Sequence, residues 1–137
     1  MSVQRVGTTL VVAAVIRDEI GRILLARRPV DAHMGGLWEF PGGKVDPGEA
    51  PAAALERELA EELALDARVG APLTFAVHEE PGLRVLLLFF DVEIGSPRPK
   101  PLEGQEIAWV APKDLPSYPT PPADAALIEL LVGGRTG

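Results

Sequence analysis

Gly43-x5-Glu49-x7-Arg57-Glu58-Leu59-x-Glu61-Glu62-x-Ala64-Leu65 is the stretch on which the reading of this chain turns. Its second half predicts a helix from about Ala50 to Leu63. Pro51 suits the first turn, where a missing N–H costs nothing. Leu55, Leu59 and Leu63 recur every four residues and form the stripe to be buried. Glu58, Glu61 and Glu62 then stand at i, i+3 and i+4, so their carboxylates emerge from neighbouring points of one face. Each like-charge contact at about 4 Å costs roughly 4 kcal/mol at an effective dielectric near 20. Beside an apolar stripe such a cluster needs a counter-ion, and an all-oxygen donor set suits Mg²⁺, with Mn²⁺ as a substitute. Arg57 can reach Glu61 along the helix or fold back to Glu49, orienting the carboxylates from behind.

A solvated glutamate face is the bland alternative for any acidic helix. The fixed spacing of a Gly, an earlier Glu and an Arg-Glu pair argues against it here. A divalent cation would also reverse the sign of the site: carboxylates alone repel phosphates, whereas a bridging metal neutralises them and activates the attacking water.

Outward from the box, Thr9 to Arg17 and Arg22 to Arg28 are aliphatic or β-branched and flank Asp18-Glu19-Ile20-Gly21, a pattern that predicts a hairpin. Pro29 to Trp38 reads as a loop, Glu39 to Val45 as a short extended piece broken by turn residues. Ala67 to His78 and Leu83 to Ile94 are strand-like and joined through Glu80-Pro81-Gly82. A proline-rich loop covers Ser96 to Pro101, a strand Glu106 to Val110, a turn Pro112 to Leu115, an extended run Ser117 to Pro122, and a last helix about Ala123 to Val132. With no internal repeat and no long linker, residues 1–137 read as one mixed α/β domain.

Composition narrows the function. The chain has no cysteine, which removes disulfides, thiolate metal sites and a cysteine nucleophile together. Its formal net charge is −7, with no basic stripe for a nucleic-acid polymer. The longest apolar runs, Leu10 to Ile16 and Val85 to Phe90, are far too short for a membrane span. No secretion signal is visible at the N-terminus, so a cytoplasmic location is the default expectation. Lys44 follows two glycines, but a phosphate-binding P-loop would need a Gly where Trp38 stands and a Ser or Thr in place of Val45. His33 and His78, far apart in sequence and without cysteine, make a poor transition-metal set and read as loop or surface residues.

The box resembles the signature of the Nudix hydrolases: a Gly, a Glu after five residues, then Arg-Glu-aliphatic-x-Glu-Glu-x-Gly-aliphatic. Ala64 departs from it, standing where the pattern has Gly at the helix C-terminus. The likeness extends to Arg27-Arg28-Pro29-Val30-Asp31-Ala32-His33-Met34, Glu39-Phe40-Pro41-Gly42-Gly43-Lys44, Glu103-Gly104-Gln105, Trp109 and Pro121-Pro122-Ala123-Asp124, which are similar to the MutT branch, sanitisers of 8-oxo-dGTP. The resemblance implies the Nudix fold, a mixed sheet sandwiched between helices, and Mg²⁺-dependent attack of water on a nucleoside triphosphate to give a monophosphate and pyrophosphate. It implies metal ligation by Glu58, Glu61, Glu62 and the backbone carbonyl of Gly42, with Glu103 a further ligand or the general base. Arg57 would support the catalytic acids, Arg28 and Lys44 would contact phosphates, and Phe40 would lie near the base. Trp38 is a candidate for stacking on the base, although burial is the commoner use of Trp.

Base preference turns on Asp124. The MutT branch has an asparagine at the matching place, able to donate and to accept. An ionised Asp only accepts. It would take N7–H of 8-oxoguanine but repel O6, and it would suit the amino group of cytosine. Pro-Ala-Asp also resembles relatives acting on CTP or 5-methyl-dCTP. An oxidised-purine triphosphatase ranks first and a cytosine-type triphosphatase second. Asp124 could equally cap the last helix. A Nudix module that senses nucleotides without turnover would lose the metal acids first, and all of them are present.

Overall fold

The computed structural model describes residues 7–95 and 98–133. Residues 96–97 of the expected proline-rich loop, and the N-terminal residues read for a secretion signal, fall outside that range in whole or part. In chain order the strands are β1 (Thr8–Ile16), β2 (Ile23–Arg27), β3 (Trp38–Glu39), β4 (Gly42–Lys44), β5 (Ala67–Glu80), β6 (Leu83–Ile94) and β7 (Ile107–Val110). Helix α1 (Pro51–Leu63) follows β4 and α2 (Ala125–Val132) closes the described chain, with 3-10 turns at Pro112–Ser117 and Pro122–Asp124 before it. Among the described residues no helix is long and apolar enough to cross a membrane.

The strands form two sheets. One is mixed, in the order β4-β1-β6-β5, with β1 parallel to β6 and the other pairs antiparallel; the second, β3-β2-β7, is antiparallel. This corrects the expected hairpin of the first two strands. Only a single bridge, Arg17 to Ile23, joins them beyond the turn. A strand has two edges, and those of β1 are occupied by β4 and β6, so β2 must enter the other sheet. The turn itself forms as read, with Asp18 accepting from the N–H of Ile20 at 3.1 Å and of Arg22 at 2.8 Å, and Gly21 at φ 86°.

Two cores lie on opposite faces because successive strand side chains point in opposite directions. Val12, Ala14 and Ile16 of β1 pack with Ala54, Leu55, Leu59 and Leu63 of α1, whereas Ala13 and Val15 pack with Leu127, Ile128 and Leu131 of α2. Strand β2 divides likewise, Leu24 toward α1 and Ile23 and Leu25 toward α2. Each fully buried leucine of α1 contributes roughly 2 kcal/mol from burial. The sheets are therefore sandwiched between helices, as the resemblance to the Nudix hydrolases implies. Edge strand β5 tolerates Pro72 because the pairing with β6 shifts register on either side of it.

Helix α1 ends where its leucine stripe ends. Ala64 takes the left-handed conformation, φ 55° and ψ 34°, and its N–H donates to the Ala60 carbonyl at 3.1 Å. The Leu65 N–H donates to Leu59 at 3.2 Å, and its side chain packs into the α1 core. The turn that glycine serves in the family pattern is thus built here with alanine.

Candidate functional site

Three elements bring the box together. Strand β4 pairs with β1, putting Gly42 opposite Ala13 and Gly43 opposite Val12. Neither position has room for a side chain. A Cβ on Gly42 would collide with the Val12 carbonyl, and one on Gly43 with the carboxylate of Glu58. The loop to α1 carries Glu49, and α1 carries Arg57, Glu58, Glu61 and Glu62.

Arg57 is the hub. Its Nε and Nη2 each donate to Glu49 at 2.8 Å, its Nη1 donates to Glu58 at 3.0 Å and to Glu61 at 3.3 Å, and its Nη2 donates to the Lys44 carbonyl at 3.2 Å. Both reaches expected of Arg57 are made at once. The hydrogen bonds from Arg57 and from the Asp46 N–H hold the Glu49 carboxyl down at about 2. Glu62 is pushed well above the ordinary carboxylate range by burial, by a hydrogen bond and the charge of Glu58, and by the charges of Glu103 and Glu39.

The acids do not all meet at one point. Among the described residues, no three acidic or histidine side chains converge as a closed metal set. Glu61 turns to Arg57 and is 59% exposed, while Glu58, at 15%, accepts from Arg57, lies against Gly43 and acts on the neighbouring Glu62 carboxyl. Arg57 Nη1 holds both Glu58 and Glu61, at 3.0 and 3.3 Å, and of the three glutamates Glu61 is the one turned furthest toward solvent. The donor chemistry still fits a hard divalent cation: Glu58 and Glu62 are oxygen donors, and Glu103 and Glu39 add like charge beside them.

A cavity of about 360 Å³ opens beside this cluster. Its floor is largely apolar and includes Val11, Val85, Leu87 and Phe89, and Phe40 lines it, only 3% exposed and edge-on to Phe89 at 6.0 Å between ring centroids. Arg28, Lys44, Gly42 and Asp124 also line it. A second, shallower cleft is bordered by Arg28, Glu103 and Gln105, so Arg28 stands between the two. Its guanidinium donates to Glu39 at 3.0 Å, and its buried Nε has no partner among the described residues. Trp38 is not among the cavity residues. It packs edge-on against Tyr118 at 5.4 Å and toward the α2 core.

Asp124 is the only buried polar or charged residue among those described, 3% exposed. It stands at the start of α2 but makes no side-chain capping bond, so the cap expected as its alternative role is not formed. Burial, reinforced by the Glu39 charge, pushes its carboxyl up to about 7. Asp124 enters from the far end of the chain, Phe40 and Glu39 from the β3–β4 segment, and the apolar floor from β1 and β6.

The sequence alone assigns Glu39 no role. It sits electrically between Asp124 and Glu62, raised by burial and partly restrained by Arg28. Its signal was indirect, an acid eleven residues from Arg28 on a neighbouring strand. His33 and His78 both line the cavity, and each comes to 3.4 Å from Glu80, so a loop and the β5–β6 hairpin meet at the rim. No sequence spacing links those three.

Comparison with known proteins agrees with this geometry. The family profile described as "NUDIX domain" matches residues 7–131. The CTP pyrophosphohydrolase of Escherichia coli (strain K12) is 40% identical over 125 residues, covering 91% of this chain and 92% of that protein. The 8-oxo-dGTP diphosphatase of Haemophilus influenzae (strain ATCC 51907 / DSM 11121 / KW20 / Rd) is 40% identical over 125 residues, covering 89% and 90%. The crystal structure of the MutT protein from Methanosarcina mazei Go1 matches with a TM-score of 0.83 at 27% identity, over 95% of this chain and 96% of that one. With the signature residues gathered around Arg57 and a family match over nearly its whole length, the chain belongs to the Nudix family, in its MutT-like branch.

Proposed function

We propose that this chain hydrolyses nucleoside triphosphates to a nucleoside monophosphate and pyrophosphate, with 8-oxo-dGTP as its preferred substrate and sanitation of the nucleotide pool as its role. The observation that carries the reading is the junction of an apolar cavity holding Asp124 with a cluster of acids held by one arginine. Glu58 and Glu62, with the Gly42 carbonyl, Glu103 and a reoriented Glu61, would hold Mg²⁺, which neutralises phosphate charge and makes water a better nucleophile. Arg28 and Lys44 reach the phosphate chain from the cavity side, a fork donor and a point charge. Either Glu58, which lies against Gly43 and is held by Arg57, or Glu103, whose charge acts on the neighbouring Glu62, would take the proton from the attacking water. Phe40 forms the apolar wall for the base.

Asp124 supports the purine choice because a carboxyl raised to about 7 keeps a substantial protonated fraction at neutral pH, where an ordinary aspartate has almost none. The acid then accepts N7–H through its carbonyl oxygen and donates its O–H to O6, as an asparagine amide would. A second reading, a CTP or 5-methyl-dCTP pyrophosphohydrolase, is favoured by the ionised form, which accepts from the cytosine amino group, and by the relative of that name. Both readings share the bond broken. A nucleotide panel with Mg²⁺, scored for products as well as rates, tests them: monophosphate plus pyrophosphate fixes the reaction, and the order of kcat/KM fixes the base. Release of inorganic phosphate instead, or binding without turnover, would overturn the proposal.

A further inference from the structure

The loop that carries Glu103 is tied to the end of α1 through an unusual concentration of bonds. A helix leaves its last carbonyls without intrahelical partners. Here the Leu63 carbonyl accepts from the Lys100 N–H at 2.8 Å, and the Glu62 carbonyl accepts twice, from the Leu102 N–H at 3.0 Å and from Gln105 Nε2 at 3.2 Å. The other end of the same amide closes the circuit, with Gln105 Oε1 accepting from the N–H of Glu103 at 3.0 Å. The two partners fix the amide's orientation, since the Glu62 carbonyl can only accept and the Glu103 N–H can only donate. Between them the chain reverses at Gly104, φ 73°, whose N–H donates to Pro101 at 3.1 Å. Glu103 itself is largely exposed, so its place is set by its backbone rather than by surrounding packing.

We infer that Gln105 is a positioning residue: its side-chain amide bridges the main chains of Glu62 and Glu103 and holds the Glu103 loop against the acidic end of α1. This rests on the reading of Glu103 as a participant in hydrolysis. Gln105 need not touch the substrate. It acts through Glu103, and it couples the two acids because one carbonyl of α1 and one N–H of the loop share a single rigid group. No apolar or acidic side chain could replace it. Leucine has neither donor nor acceptor, and glutamate would turn a carboxylate oxygen toward the Glu62 carbonyl.

The test is a cycle of wild type, Gln105→Leu, Glu103→Gln and the double variant, assayed for pyrophosphate release, with amide hydrogen exchange measured on the same proteins. Gln105→Leu should lower kcat about tenfold with KM nearly unchanged, as loss of an orienting partner does. In the Glu103→Gln background it should add less than about twofold, since two residues acting as one unit are not additive. Exchange at the Glu103 amide should quicken by about tenfold while amides in the middle of α1 keep their protection. Gln105→Glu should reproduce the loss. Equal losses in both backgrounds, or unchanged exchange at Glu103, would overturn the inference. Full activity in Glu103→Gln would overturn it too, through the role of Glu103 rather than the tether, and the exchange rates tell those failures apart.

Discussion

Arg57 grips Glu49 with two hydrogen bonds of 2.8 Å, Nε to one carboxylate oxygen and Nη2 to the other, eight residues apart along the chain. This two-pronged pair is the strongest geometry available to an ion pair. It anchors the loop before α1 to the helix, and leaves Nη1 of the same guanidinium to hold Glu58 and Glu61.

Because the Glu49 carboxyl is held down from 4.5 to about 2, its contribution to stability is complete above the unfolded value and disappears as pH falls toward 2. Glu49→Gln removes that titration. The melting temperature of the variant should therefore lie below wild type above pH 4.5, with the gap closing in more acid solution. Thermal melts across that range check it, and a gap independent of pH would detach Glu49 from the acid response.

The parts of this site that follow local spacing were readable from the chain alone. The leucine stripe at every fourth position, Pro51 at the helix start and the reach of Arg57 to Glu49 depend only on helix geometry, and the structure has them. What could not be read depends on which edges meet. The split of β1 and β2 into separate sheets follows from β6 occupying the parallel edge of β1, a contact between residues more than seventy apart. Glu39 and Asp124 influence one another across the cavity from opposite parts of the chain, and no periodicity announces that. Trp38 carries the same difficulty in reverse. Its ring goes to Tyr118, not to the cavity, and an aromatic's neighbour is set by tertiary packing.

Asp124 should make base preference depend on pH. Its carboxyl is raised to about 7, so the protonated form dominates below that value and the acceptor-only form above it. The ratio of kcat/KM for 8-oxo-dGTP to that for CTP should fall as pH rises through about 7. Effects on water activation cancel in the ratio. Asp124→Asn should shift preference toward 8-oxo-dGTP and flatten the ratio against pH. The same raised value makes the wild-type residue less stabilising as pH rises through it, so the variant should gain stability in alkaline more than in acid solution. A ratio that is flat in the wild type would limit Asp124 to a structural role.

Ala64 stands in a backbone region that disfavours any residue with a Cβ, at φ 55°. A left-handed alanine is strained by roughly 1–2 kcal/mol, offset in part by the greater unfolded entropy of glycine. Ala64→Gly should stabilise the fold by about 1 kcal/mol and raise the melting temperature by a few degrees. Activity should be unchanged, because the turn is already formed with its bonds to Ala60 and Leu59. A destabilised variant would mean that the alanine methyl is held by packing that outweighs the strain.

Gly43 and Glu58 predict one phenotype by two routes. A Cβ at Gly43 would meet the Glu58 carboxylate, the free end of a flexible side chain, whereas a Cβ at Gly42 would meet the Val12 backbone. Gly43→Ala can therefore fold by pushing Glu58 aside, and Gly42→Ala must disturb the β1–β4 pairing. Glu58→Gln leaves the backbone untouched and removes the charge. If Glu58 takes part in hydrolysis as proposed, both Gly43→Ala and Glu58→Gln should lower kcat by about 10²–10⁴, with melting temperatures close to wild type. Gly42→Ala should instead lose stability first. Steady-state kinetics set beside thermal melts separate the three, and a Gly43→Ala enzyme of normal activity would show that Glu58 works from a different position than the one against Gly43.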